Sequence, residues 1–206
     1  MSECKMKKCY QDLAKKRVDS VPRSFRNPEH LEFDFRQWVS PYTKGAHGKS
    51  GVMIVLQDWG SVDAFRKLSK EDREIVGILG RNPKLLTNRR LERLLNDLFG
   101  QRIDKTYVTN AFPYIKRGGI SAQLPLKLVR GEILKYTLEE IRLVKPSKVF
   151  LCGRLVWNAF PHKDFDNKIG AELIRVPHPA ARMSYENHLY AWRAAMADKG
   201  KVRRSR

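Results

Sequence analysis

Apolar positions along the chain fall into two rhythms. Residues 51–60, GVMIVLQDWG, make a short unbroken apolar run that ends on Gln57 and Asp58. A run of that length predicts a strand covered on both faces. TNRRLERLLNDLFG then sets Leu91, Leu94, Leu95 and Leu98 at helical spacing, with Thr87 or Asn88 as the N-cap and Gly100 as the stop. DKTYVTNAFP predicts a second strand ended by Pro113, and LPLKLVRGEILKYTLEEIRLVKP a long amphipathic helix stopped at Pro146. SKVFLCG reads as a third strand feeding a helix over RLVWNAF, ELIRVPHP as a fourth strand, and YENHLYAWRAAMAD as a closing helix.

Strands alternating with helices predict a three-layer α/β/α domain around a central, mostly parallel, four-stranded sheet. The domain is expected over residues 51–198. Residues 1–50 read as a basic arm packed on it, in which only EHLEFDFRQWV has the pattern of a helix or packing segment, and 199–206 as a basic tail. Ligands of such sheets sit outside the carboxyl ends of the strands. Asp58, Asn110, Gly153 and His178 are the punctuations expected at that edge, so a site built from four loops is predicted there.

Charge narrows the partner. The chain carries 41 Lys and Arg against 22 acidic residues, a formal charge of +19. That excess exceeds what solubility requires and suits a polyanion, nucleic acid first. Three cysteines cannot make a disulfide framework; Cys4 and Cys9 lack a second pair for a metal site, and Cys152 sits in an apolar run as a core residue. With no apolar segment of membrane-spanning length and no signal-peptide pattern, an intracellular, cytoplasmic protein acting with DNA is expected.

In order, VLQDWG, YVTNAFP, VFLCG and VPHPAARMS resemble the uracil-DNA glycosylase superfamily over roughly residues 51–196. The Gln57-Asp58 pair is most similar to the classical uracil-excising branch. Too few cysteines are present for the four-thiolate cluster of the iron-sulfur branches. The chain departs from the classical pattern at Leu56, at Trp59-Gly60 and at Ala180, where that branch has Gly, Pro-Tyr and Ser. The resemblance implies a monomeric glycosylase that flips uracil out of DNA, hydrolyses its N-glycosidic bond without cofactor or metal, and leaves an abasic site.

The resemblance assigns roles residue by residue. Asp58 would stabilise the cationic sugar and orient water, and His178 would donate to the departing pyrimidine. Asn110 would read the uracil edge beside Gln57. Phe65 is the first candidate for stacking the base, with Trp59 or Phe112 as substitutes. Arg182, beside Met183 and Ser184, would wedge into the DNA, and Lys116 and Arg117, leading into Gly118-Gly119, would grip phosphate. Gly60 stands where the classical branch has a Tyr that excludes 5-substituted uracils, so open volume is expected there unless Trp59 fills it. No lysine signature points to a Schiff-base lyase. A non-catalytic nucleic-acid-binding member of the same fold, and a nucleoside-processing α/β enzyme, are the competing readings. Asp58 argues against the first, since a pure binder needs no anion facing phosphates. The absence of a glycine-rich phosphate loop after the first strand argues against the second.

Overall fold

The computed structural model describes residues 3–26, 33, 51–161 and 170–197. Four strands form one parallel sheet: β1 (Val52–Asp58), β2 (Tyr107–Phe112), β3 (Lys148–Cys152) and β4 (Glu172–Val176), in the order β2-β1-β3-β4. Helices cover both faces, which makes the three-layer α/β/α architecture. In chain order they are α1 (Glu3–Asp19), α2 (Val62–Arg66), α3 (Lys70–Leu79), α4 (Leu86–Phe99), α5 (Leu126–Glu132), α6 (Leu138–Val144), α7 (Arg154–Ala159) and α8 (Tyr185–Ala197).

The period of two along β1 divides the core. Met53 and Val55 enter one apolar cluster, together with Tyr10 and Leu13 of α1, Ile133, Ile141 and Val156. Ile54 and Leu56 enter the other, with Leu91, Leu94 and Leu95 of α4 and Trp192 of α8. Both faces being covered, the strand is apolar at every position until Gln57. Continuing the alternation, Asp58 follows Leu56 on the α4/α8 face. Leu56 registers with Asn110 and Asp58 with Phe112 across the β1–β2 pair.

Four features depart from the sequence reading. The first is α1, which forms where no helix was expected: among its described side chains Tyr10, Leu13, Ala14 and Arg17 are buried, a stripe diluted by lysines. Second, α4 starts after Leu85 with no side-chain cap. Asn88 is inside the helix, buried, and donates from Nδ2 to the Asn82 carbonyl (2.7 Å); its partner is the preceding loop and not the helix terminus. Third, the helix over 126–144 carries a π-helical turn, Ile133–Thr137, at its centre. It ends with Lys145 in the left-handed conformation (φ 52°) just before Pro146. Fourth, α2 and α3 occupy a stretch with no predicted element, each capped by a serine, Ser61 and Ser69. Of EHLEFDFRQWV only Phe33 lies within the described residues, buried against Trp59 and Phe65; the basic tail lies outside them.

Among the described residues no helix is long and apolar enough to cross a membrane, and no group of His, Cys, Asp or Glu could hold a metal ion. Cys152 is buried, and burial pushes its thiol well above the ordinary range.

Candidate active site

Where β1 leaves the sheet, the backbone turns on Trp59 and Gly60 and the Asp58 carboxylate is held at both oxygens. Oδ1 accepts the Gly60 N–H (3.0 Å), while Oδ2 accepts from Gln57 Nε2 (2.8 Å) and from Lys116 Nζ (3.1 Å). A half-buried carboxylate with both oxygens hydrogen-bonded and a cation on one of them keeps one orientation.

Lys116 corrects a sequence expectation. It was expected on an exposed phosphate-gripping loop, yet it is 4% exposed and paired to Asp58. The cause is a strand-like bridge: the Lys116 N–H donates to the Gly60 carbonyl (3.1 Å) and its carbonyl accepts from the Val62 N–H (3.0 Å). The loop after β2 is thereby stitched to the turn after β1, and the side chain folds back onto the carboxylate. Arg117, Gly118 and Gly119 do lie exposed, Gly118 at φ 74°.

Asn110 is 1% exposed, and neither its Oδ1 nor its Nδ2 has a hydrogen-bond partner among the described residues. Its neighbour Thr109 points to the opposite face, where Glu140 accepts its hydroxyl (2.8 Å). Leaving both ends of a buried amide unmet costs on the order of 1–3 kcal/mol per group. Such a side chain could be met by a ligand edge that offers one donor and one acceptor.

His178 follows β4 by two residues. Its Nδ1 accepts the Ala180 N–H (3.2 Å), so the neutral ring carries its proton on Nε2. Burial lowers its pKa from 6.5 to about 4, with the charges of His188 and Lys116 acting the same way and Asp58 opposing them. At neutral pH the imidazole is therefore an uncharged donor near a carboxylate. Gly153 lets it come close: a Cβ at Gly153 would meet the His178 Cβ at 3.3 Å, and the backbone there adopts φ 92°.

The segment that carries His178 is tied down carbonyl by carbonyl. Trp192 Nε1 donates to Pro177 O (3.2 Å), His188 Nε2 lies 3.0 Å from His178 O, and Arg90 Nη1 reaches both Pro179 O (3.2 Å) and Ala181 O (2.9 Å). Sequence reasoning missed these three residues. His188 and Trp192, four apart on one helical face, were a signal for shared burial; Arg90, one of several arginines on α4, gave none. Arg182 stands exposed at the tip of the segment with Met183 half-buried beside it. Ser184, expected on DNA, accepts the Asn187 N–H (3.2 Å) at the start of α8.

The aromatic candidates separate. Phe112 is core, edge-on to Phe25 and Tyr114. Trp59 is 6% exposed and donates to the Gly80 carbonyl (3.2 Å). Phe65 lies against Trp59 (centroids 4.6 Å apart) with its ring edge over Gly60. The open volume expected at Gly60 is therefore taken, and by Phe65 instead of Trp59: a Cβ at Gly60 would meet Phe65 Cε2 at 3.2 Å, with φ at 130°. A larger residue at Gly60 meets both strain and overlap.

Compared with protein-family models and with curated proteins, the chain matches none. Gln57 and Lys116 continue into a cleft of about 460 Å³ whose other walls include Ile120, Gln123, Leu126 and Arg154. Asp58, Asn110 and His178 are not among those walls, so the cleft adjoins the polar cluster without containing it. A fixed carboxylate, an uncharged imidazole donor and an unsatisfied amide at one sheet edge can stabilise a cation, protonate or hydrogen-bond a leaving group, and read a planar polar edge.

Proposed function

We propose that this protein is a DNA glycosylase that hydrolyses the N-glycosidic bond of uracil and leaves an abasic site, the activity implied by its resemblance to the uracil-DNA glycosylase superfamily. The observation that carries the reading is Asn110, buried with both amide atoms unpartnered among the described residues. Its donor and acceptor complement N3–H and O4 of uracil. Cytosine presents the reverse pattern, and rejecting it requires that the amide keep one orientation in the bound state, since a flipped amide would match cytosine.

The chemistry then divides among groups already placed. Bond cleavage creates an oxocarbenium-like sugar and a pyrimidine anion. Asp58 faces the cation and orients the attacking water; the His178 Nε2–H donates to O2 of the departing base, and being neutral it stabilises the anion by hydrogen bonding rather than by full proton transfer. Reaching the target base requires flipping it out of the duplex, for which exposed Arg182 and half-buried Met183 supply the wedge and Arg117 a phosphate contact. The net charge of +19 supports a polyanionic substrate. No cofactor is required by this scheme.

The test is a labelled uracil-containing oligonucleotide incubated with the protein and then cleaved with alkali. Strand scission is expected from the wild type, with at least about a tenfold slower rate for Asp58→Asn at unchanged or tighter DNA binding. A shift in electrophoretic mobility without scission would favour a binding module of the same fold. Equal rates for both proteins would remove Asp58 from the mechanism.

A further inference from the structure

Lys116 lies in surroundings that no phosphate contact would need. We infer that Lys116 is a positioning residue of the reaction, holding the Asp58 carboxylate toward the sugar; this rests on the glycosylase reading.

The geometry is specific. Of the three groups among the described residues that donate to the Asp58 carboxylate, the Gly60 N–H and Gln57 Nε2 belong to residues near it in the chain. Lys116 comes from another strand's loop, 58 residues away, and it alone of the three is charged. Its backbone is fixed by two hydrogen bonds to the turn that follows Asp58, so cation and carboxylate are mounted on the same stitched pair of loops. Withdrawing the ammonium to reach a DNA phosphate would strand a carboxylate whose side chain is 9% exposed, a substantial penalty. The neighbouring Arg117 is exposed and available for that task.

A compact ammonium suits the narrow approach to a single oxygen, where a planar guanidinium would sit differently.

The experiment compares wild type, Lys116→Met, Lys116→Arg, Asp58→Asn and the double variant Lys116→Met/Asp58→Asn on uracil-containing DNA under single-turnover conditions. Lys116→Met is expected to slow cleavage of bound substrate by about tenfold or more with Kd within about twofold, and Lys116→Arg to recover part of the rate. The double variant should be no slower than Asp58→Asn, because Lys116 acts through that carboxylate. The slope of log affinity against log salt should not change. A phosphate contact predicts the opposite: weaker binding, a slope smaller in magnitude by about 0.9, and intact cleavage once bound; that result overturns the inference, as do additive rate losses. If the wild type leaves uracil DNA intact, the glycosylase reading fails and the positioning role fails with it.

Discussion

At the scale of single residues, the site is organised by what each polar group lacks or holds. Among the described residues Asn110 is buried without hydrogen-bond partners, Asp58 is held at both oxygens, and His178 is a half-buried, uncharged ring. The His178 shift has a thermodynamic consequence. Between pH 6.5 and about 4 the unfolded chain takes up a proton at this residue that the folded chain refuses, so stability falls as pH drops through that window. The loss is expected to be no more than about 3 kcal/mol. Urea unfolding at pH 7 and pH 4.5 checks it: His178→Asn should lose less stability between the two pH values than the wild type, and equal losses would show that other groups dominate. Asp58, Asn110 and His178 were legible as candidates through their order, spacing and strand-end context taken together, since Asn or His at a strand end is common by itself. The pairing of Lys116 was not, since contact between residues 58 and 116 depends on how two loops meet. Nor was the role of Phe65 at Gly60, which depends on where α2 lies.

Among elements, α4 and α8 do most to place the His178 segment. Arg90 reaches it from α4, His188 and Trp192 from α8. Trp192 also stacks on Phe150 of β3 (5.4 Å, interplanar 10°), so the helix that clamps the segment is itself anchored to the sheet. Trp192→Phe keeps much of the packing and removes only the donor to Pro177 O. It should destabilise the protein by about 1–2 kcal/mol and slow uracil excision several-fold with little change in affinity, measured by chemical denaturation and single-turnover kinetics. An unchanged rate would mean that Arg90 and His188 suffice to hold the segment. The existence of α4 and α8 was readable from apolar spacing, as was the Gly100 stop of α4. The start of α4 was not, because Asn88 bonds to the preceding loop. The helix α1 was also hidden. It is held by tertiary contacts, with Arg17 reaching buried Glu140 (3.0 Å) and the Tyr136 hydroxyl donating to the Lys16 carbonyl (3.1 Å).

For the whole molecule, the +19 charge is a property of long range and exposed groups. With Lys116 withdrawn into the site, binding should rest on surface cations, and about five neutralised phosphates would give a log–log salt slope near −4.5. Affinity for uracil-free DNA measured across a salt series checks this; a slope near zero would remove nucleic acid as the partner. The fold class was determined by sequence alone: apolar runs too short for helices alternate with amphipathic stretches too long for strands, and only a parallel sheet covered on both faces buries all of them. The candidate positions were determined likewise, because strand ends in such a sheet share one edge. Tertiary structure alone decided which of those positions touch. The Lys116–Asp58 pair, the filling of Gly60 by Phe65 and the clamp on the His178 segment join residues from 5 to 91 positions apart. Most of these contacts are set by the meeting of separate loops and helices, a packing outcome that no local pattern encodes.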